Sequence, residues 1–335
     1  MGTDDNIPQS VRASRWEADF HPGPDFPTQI TNTQRSGEVL SRLETWIRVR
    51  GLGQGAFGQV WLEKANDAQQ PVAFRAVKEI KLDRNGNRRR ECISELEALS
   101  KFSKKKFLNV FIGFYGWYES PDALFIATEY CQHGDLNQLV KQNGKVSEPH
   151  VQTIVHQVLR AIAFMHQNDF AHCDLKPGNV LVSKMPPNDN WHIKLCDMGL
   201  SKRIGTTSTP AELVGTHGFI APERVPGVGP GAVDINPFLS DIWSLGAISF
   251  FLLTGSTAFA NPHDLRGYVN DTVRFPQQPL DGIGAGAAAR DFIKSLMSAR
   301  PGERPPAQKA ESHLWMTKLT DPEKLRLKQI AGSSV

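Results

Sequence analysis

Residues 170–182 read FAHCDLKPGNVLV, a polar loop between two apolar segments. Asp174, Lys176 and Asn179 lie within six residues of one another, and Pro177 restricts the turn between them. Phosphoryl transfer needs a carboxylate at the attacking hydroxyl, a cation at the moving phosphate and an oxygen ligand for magnesium. This loop could supply all three, although Asp-Leu-Lys-Pro alone could also be an ordinary surface turn.

Other short motifs surround this loop in a definite order. They are the glycine-rich residues 53–60 and Ala76-Val77-Lys78 before it, and Asp197-Met198-Gly199, Ala221-Pro222-Glu223 and the stretch DIWSLG at 241–246 after it. The ordered set, from about Trp46 to Trp315, resembles the eukaryotic protein kinase family, and the loop has the serine/threonine form. The resemblance implies a two-lobed α+β fold. It places a small β-rich N-lobe with one main helix at about residues 46–131 and a larger, mainly helical C-lobe at about residues 132–315.

Composition limits the kind of protein. The 335 residues are 40% hydrophobic and carry a net charge of +3, which gives no reason to expect a nucleic acid or an anionic membrane as partner. The four cysteines have no C-x-x-C spacing, which disfavours a zinc site or a disulfide framework and favours a reducing compartment. The sequence shows no signal-peptide pattern, and the most apolar stretch, residues 247–253, is too short to span a bilayer. We expect a monomeric intracellular protein, cytoplasmic or nuclear, without membrane insertion.

The glycine-rich stretch predicts a hairpin. Within residues 46–62 a glycine turn joins two strand-like segments, and β-branched and aromatic residues follow Gly58. A dinucleotide site would need a helix after these glycines, so this pattern argues against a nicotinamide-dependent oxidoreductase.

Lys78 lies in the next predicted strand, residues 72–80. A lysine there would ordinarily extend to solvent. The resemblance instead makes it the lysine that holds the α- and β-phosphates of ATP. Its expected partner is Glu95, in a helix predicted for residues 90–102, with Glu91, one turn earlier on the same face, as the alternative.

The resemblance also implies a set of ATP-binding positions. They are Leu52, Gly53, Gly55, Gly58, Val60, Ala76, Lys78, Thr128, Glu129, Cys131, Asp135 and Leu181. In this assignment Val60 lies against the adenine, and the backbone of Glu129 and Cys131 bonds it. Thr128 sets the depth of the pocket. Asp135 would hold the ribose, or would simply cap the following helix.

In the central loop the resemblance assigns the chemistry. Asp174 would accept the proton of the substrate hydroxyl, and Lys176 would neutralise the transferring phosphoryl group. Asn179 and Asp197 would hold Mg²⁺. Thr216 would bond Asp174 and Lys176 and so complete a catalytic set that also includes Lys78 and Glu95.

Three further features have a structural interpretation. The resemblance implies that Glu223 and Arg304 form one buried ion pair. It also implies that Asp241 caps a buried helix and holds the backbone of the central loop. Residues 226–237, rich in Gly and Pro, predict a surface insertion.

Two residues depart from the family pattern. Cys173 replaces the arginine that normally meets a phosphate on the activation loop, so we expect activity to depend little on phosphorylation of residues 206–209 (Thr-Thr-Ser-Thr). Met198 replaces the usual phenylalanine and should pack on His172 and Leu99.

These departures are the only support for a second hypothesis, a pseudokinase that acts as a nucleotide-binding scaffold. Since every other position carries a usable residue, the sequence favours an ATP- and Mg²⁺-dependent serine/threonine kinase. Outside the domain we expect a mostly disordered N-terminal arm (residues 1–45) and a C-terminal tail (residues 316–335).

Overall fold

The computed structural model describes residues 7–21, 28–36, 39–55, 58–67, 72–83, 85–103, 110–199, 202–203, 216–228 and 235–317. The chain divides into two units, the first of residues 1–108 and 112–131 and the second of residues 109–111 and 132–335. The division falls after Cys131, where the sequence changes from β-rich to helical patterns. The expected α+β organisation is confirmed, with a β-sheet unit followed by a mainly helical one.

The described residues of the first unit form an antiparallel sheet of seven strands and two helices. Their bounds are α1 (Gln9–Arg12), β1 (Glu17–His21), β2 (Gln29–Ser36), β3 (Val39–Gly55), β4 (Gly58–Ala65), β5 (Phe74–Lys81), α2 (Asn87–Phe102), β6 (Phe114–Glu119) and β7 (Ala123–Glu129). The strand order is β1-β2-β3-β4-β5-β7-β6. Helix α2 begins three residues earlier than predicted, and it buries Leu96 and Leu99.

The N-terminal residues are part of this sheet, so the expectation of a disordered arm is wrong for the described part of residues 1–45. Strands β1 and β2 add to the sheet beside β3. Immediately before β1, the backbone N–H of Trp16 donates to the carbonyl of Trp117 at 2.8 Å, and the N–H of Trp117 donates to Ser14 at 3.1 Å. Because Trp117 lies in β6, these bonds connect the two edges of the sheet, where backbone groups would otherwise lack partners.

One face of the sheet and the N-terminal strands enclose a hydrophobic cluster. It consists of Trp16, Ile30, Val77, Tyr118, Ala123, Phe125 and Ala127. Next to it, Arg75 donates to Glu63 at 2.8 Å and to Asn32 at 2.8 Å, and its guanidinium lies 4.1 Å from the ring centre of Trp46. Arg75, Glu63 and Asn32 are buried. Polar residues therefore occupy interior positions. One of them, Asn32, interrupts the apolar alternation that would have predicted β2.

The second unit is mainly helical. Its elements are α3 (Leu136–Asn143), α4 (Glu148–Gln167), β8 (Phe170–Ala171), β9 (Val180–Lys184), β10 (His192–Leu195), β11 (Lys202–Arg203), α5 (Pro237–Thr254), α6 (Pro262–Val269), α7 (Gln278–Gly282), α8 (Ala287–Leu296), α9 (Ala307–Glu311) and α10 (Leu314–Thr317). Strand β9 pairs with β10, and β8 pairs with β11. Helix α5 packs against α4 and α8.

Helix α5 contains the apolar stretch at residues 247–253 and extends beyond it at both ends. Its 18 residues, with a mean hydropathy of 1.4, have the length and composition of a membrane span, but 78% of them are buried inside the protein. The helix begins at Pro237, and the side chain of Asn236 caps it by accepting from the N–H of Phe238 at 3.0 Å. The prediction that Asp241 is the cap is therefore wrong, because Asp241 lies one turn inside the helix.

Candidate active site

The register of the sheet gathers five of the predicted nucleotide-binding residues on one face. Gly53 in β3 lies opposite Val60 in β4, and Val60 lies opposite Lys78 in β5. Ala76, two residues before Lys78, lies opposite Thr128 in β7. Directly opposed residues, and residues two apart on a strand, share a face of a sheet. The sheet therefore brings these five positions together, as the resemblance implies.

Gly58 is a glycine for a local steric reason. Its φ is +140°, and a Cβ there would lie 1.9 Å from the carbonyl oxygen of Glu79. Gly55 lies directly opposite it, and Leu52 is half-buried near the end of β3. The turn itself, residues 56–57, lies outside the described residues. Because β4 approaches β5 so closely at Gly58, a residue with a side chain would not fit there.

Lys78 is paired with Glu95, as predicted. Its Nζ lies 2.9 Å from Oε1 and 3.0 Å from Oε2 of Glu95, which is buried on α2. The alternative partner, Glu91, is exposed. Cys92, on the same helix, is also buried, and burial together with the nearby Glu95 charge raises the pKa of its thiol to about 12.

The end of β7 carries the residues predicted to contact adenine. The Thr128 hydroxyl donates to the Ala76 carbonyl at 3.5 Å, and Cys131 is buried. The backbone N–H of Glu129 donates to Gly113 at 2.8 Å. The N–H of Glu129 is thus engaged within the first unit, and the contact of this segment with adenine stays a prediction.

In the second unit the three polar residues of the central loop form one hydrogen-bonded group. Lys176 Nζ lies 2.6 Å from Asp174 Oδ2. Asn179, in the short 3-10 turn Pro177–Asn179, donates from Nδ2 to the Asp174 carbonyl at 2.8 Å and to Oδ2 at 3.1 Å. Asp174 is buried, so its carboxylate has a fixed orientation. The sequence predicted all three members of this group.

Asp241 fixes the backbone that leads into this loop. Its two carboxylate oxygens accept from the N–H groups of His172 at 2.8 Å and Cys173 at 2.9 Å, and Oδ2 also lies 2.9 Å from His166 Nε2. Desolvation by burial would raise the pKa of Asp241, but the hydrogen bond and charge of His166, followed by those of His172, lower it overall. This part of the expectation for Asp241 is confirmed.

Asp197 is placed near Asn179 by the β9–β10 hairpin. Val180 pairs with Leu195, and the N–H of Cys196 donates to the Asn179 carbonyl at 3.0 Å. Asp197 has a left-handed φ of +56°, as does Cys173 at +65°. A non-glycine residue in this region costs about 1–2 kcal/mol.

The donor chemistry of these residues fits magnesium. Because Nδ2 of Asn179 is bonded to Asp174, the amide oxygen is the end left to face a cation, and Asp197 adds a carboxylate. Mg²⁺ prefers oxygen ligands and is typically held by one or two protein groups together with substrate phosphates. Among the described residues, no group of three or more His, Cys, Asp or Glu side chains is arranged as a metal site.

Asp135 and Leu181 are neighbours in a β-bridge. Asp135 caps α3, since its Oδ1 accepts from the N–H of Gln138 at 2.8 Å, and burial raises the pKa of its carboxyl. Of the two roles predicted for Asp135, the structure shows the helix cap.

Thr216 does not occupy its predicted place. The residue is exposed, and in the part of the chain that the structure describes its hydroxyl bonds neither Asp174 nor Lys176. Its carbonyl instead accepts from Phe219 at 3.1 Å and begins a surface turn. Residues 206–209, on whose phosphorylation activity is expected to depend little, lie outside the described residues.

The predicted pair of Glu223 and Arg304 is confirmed. Two parallel hydrogen bonds of 2.8 Å join the guanidinium to the carboxylate, and Ser240 donates to Glu223 at 2.9 Å. The sequence offers no reason to assign a role to the neighbouring Arg224. Its guanidinium donates to the carbonyl of Cys173, the residue directly before Asp174. No motif marks such a contact, because its acceptor is a backbone oxygen.

Met198 is fully buried.

Comparison with known proteins gives a consistent result. The family model "Protein kinase domain" matches residues 46–316. Serine/threonine-protein kinase RAD53 of Saccharomyces cerevisiae is 31% identical over 79% of this chain and 32% of its own length. Serine/threonine-protein kinase dkf-2 of Caenorhabditis briggsae is 29% identical over 82% of this chain and 22% of its own length. The chain therefore spans a third or less of these two curated relatives.

A solved structure, the Rad53 kinase domain and SCD2 in complex with AMPPNP, has a similar fold. Its TM-score is 0.57 at 27% sequence identity, over 76% of this chain and 86% of that one.

Proposed function

Because the chain belongs to the protein kinase family, we propose that it transfers the γ-phosphate of ATP to serine and threonine hydroxyls of protein substrates. The observation that carries the proposal is the bonded group of Asp174, Lys176 and Asn179. A buried carboxylate held by a cation and an amide is oriented to accept a hydroxyl proton. The serine/threonine form of the loop and the serine/threonine kinases among the relatives support the substrate class.

The proposed reaction gives a role to each of the predicted catalytic residues. Lys78, fixed by Glu95, would hold the α- and β-phosphates of ATP. Asp174 would take the proton of the attacking hydroxyl while Lys176 neutralises the moving phosphoryl group. Asn179 and Asp197 would hold magnesium, which when bound neutralises phosphate charge. That the solved neighbour was crystallised with AMPPNP supports ATP as the nucleotide.

The test is transfer of radiolabelled phosphate from Mg-ATP, with and without a generic basic protein substrate, by the wild type and by Asp174→Asn. The amide cannot accept the proton, so we expect about a 100-fold or larger loss of transfer with nucleotide binding retained. No transfer by the wild type above the variant, with nucleotide binding intact, would favour a scaffold without catalysis.

Composition supports further proposals that this experiment does not address. We propose that the protein acts as an intracellular monomer, in the cytoplasm or nucleus, without a nucleic-acid partner.

A further inference from the structure

The first turn of α2 has no acidic residue of its own. Its N-cap, Gly86, has a left-handed φ of 70° and no side chain to accept from the first N–H groups. Arginines occupy residues 88–90. The helix dipole disfavours cations at this end. Asp83 accepts from the N–H of Arg88 at 3.2 Å, but at an exposed position.

Glu119, at the end of β6, brings a carboxylate to this helix end. Its Oε1 accepts from Nε of Arg89 at 2.9 Å, and its Oε2 accepts from Arg15 at 3.0 Å. The Glu119 side chain is only 14% exposed. Arg15 directly precedes Trp16, whose backbone pairs with Trp117. One carboxylate thus connects β6, α2 and the N-terminal segment.

We propose that Glu119 and Arg15 are positioning residues for the Lys78–Glu95 ion pair. Glu95 lies six residues after Arg89, which is about 9 Å along a helix. A displacement of the start of α2 is therefore transmitted to the Glu95 carboxylate. Helix α1, from the N-terminal segment, also packs against α2. The proposal rests on the proposed function, in which Lys78 holds the phosphates of ATP.

Cys92 reports on the position of α2 without requiring any activity. It lies between Arg89 and Glu95 and is 2% exposed. With its thiol pKa raised by burial to about 12, it reacts slowly with thiol reagents while α2 is in place. Opening of α2 exposes the thiol and increases the labelling rate.

The experiment compares Glu119→Gln and Arg15→Gln with the wild type, using iodoacetamide labelling followed by peptide mass mapping. In Glu119→Gln, which keeps the shape and removes the charge, we expect Cys92 to label about tenfold faster and the KM for ATP to rise by a similar factor. Arg15→Gln should change both in the same direction by a smaller factor. Asp189→Asn is the matched control, because it removes a carboxylate from the exposed Lys184–Asp189 pair of the second unit, and it should change neither.

Three outcomes separate the possibilities. A lower melting temperature with unchanged Cys92 labelling and unchanged KM for ATP would mean a purely structural role and would overturn the proposal. If the wild type transfers no phosphate, the proposed function fails, while Cys92 labelling still decides whether Glu119 positions α2. If Glu119→Gln does not fold, Arg15→Gln decides, since it leaves β6 unchanged.

Discussion

At the scale of single residues, Asp241 connects helix α5 to the backbone that leads into the central loop. It accepts two backbone N–H groups and contacts His166 while buried. A buried carboxylate of this kind is stabilising only while it is ionised and its partners remain. Its replacement therefore offers a test that does not depend on the proposed activity.

Asp241→Asn should lower the stability of the second unit by about 3–5 kcal/mol at neutral pH, because it removes one member of a buried charged group. The folded-state pKa of Asp241 is lowered. Its contribution is therefore present above the unfolded value of about 3.9 and is lost as the pH falls through the folded value. We expect the urea midpoints of wild type and variant to differ at about pH 7 and to converge below about pH 4. A constant difference across this range would contradict the prediction.

Residues whose role is set by a motif were predictable, and residues whose role is set by a partner were not. Lys78 and Glu95 match positions of the family pattern, which favoured Glu95 over Glu91 on the same face of the helix. Arg224 and Glu119 act on a backbone carbonyl and on a helix end, which no local pattern reveals. Thr216 was assigned by resemblance alone, and the structure places it in a surface turn.

At the scale of elements, β4 and β5 were predictable from the sequence, whereas the N-terminal strands were not. The central strands carry β-branched and aromatic residues next to recognisable glycines. Strand β2 has the sequence QITNTQRS, whose Asn32 faces Arg75 in the interior. A buried polar pair of this kind removes the period-2 signal on which strand prediction depends.

Gly116 in β6 is the position that permits the N-terminal segment to pack. Its φ is +135°, and a Cβ there would lie 2.1 Å from Trp16 Nε1 and 2.8 Å from the Ser14 carbonyl oxygen. Gly116→Ala should cost about 2–4 kcal/mol through backbone strain and overpacking. We expect a lower melting temperature and faster tryptic cleavage after Arg15.

Gly282→Ala is the control for this variant, because a Cβ at Gly282 meets nothing within 4 Å. It should leave both measurements near their wild-type values. If the Gly116→Ala protein is cleaved after Arg15 at the wild-type rate, the packing of the N-terminal segment does not depend on this glycine.

At the scale of the whole molecule, the core of the first unit includes residues that precede the range matched by the family model. The family match begins at residue 46, whereas the first unit takes part of its core from Trp16 and Ile30. Arg75 also loses the Asn32 acceptor if the preceding strands are absent. The N-terminal strands are therefore an integral part of this unit and not an appendage to it.

Deleting residues 1–45 should destabilise the protein strongly. Burial of a large apolar side chain contributes about 1.5–3 kcal/mol, and the deletion removes Trp16 and Ile30 and uncovers the side chains packed on them. Since 1 kcal/mol corresponds to about 2–4 °C for domains of this size, we expect the melting temperature to fall by about 10 °C or more, or the product to be insoluble. Deleting only residues 1–6 is the control, because it keeps Ile7, whose carbonyl accepts from Arg12, and every contact described above. A chain starting at residue 46 with the melting temperature of the full chain would show that the sheet closes its core without these strands.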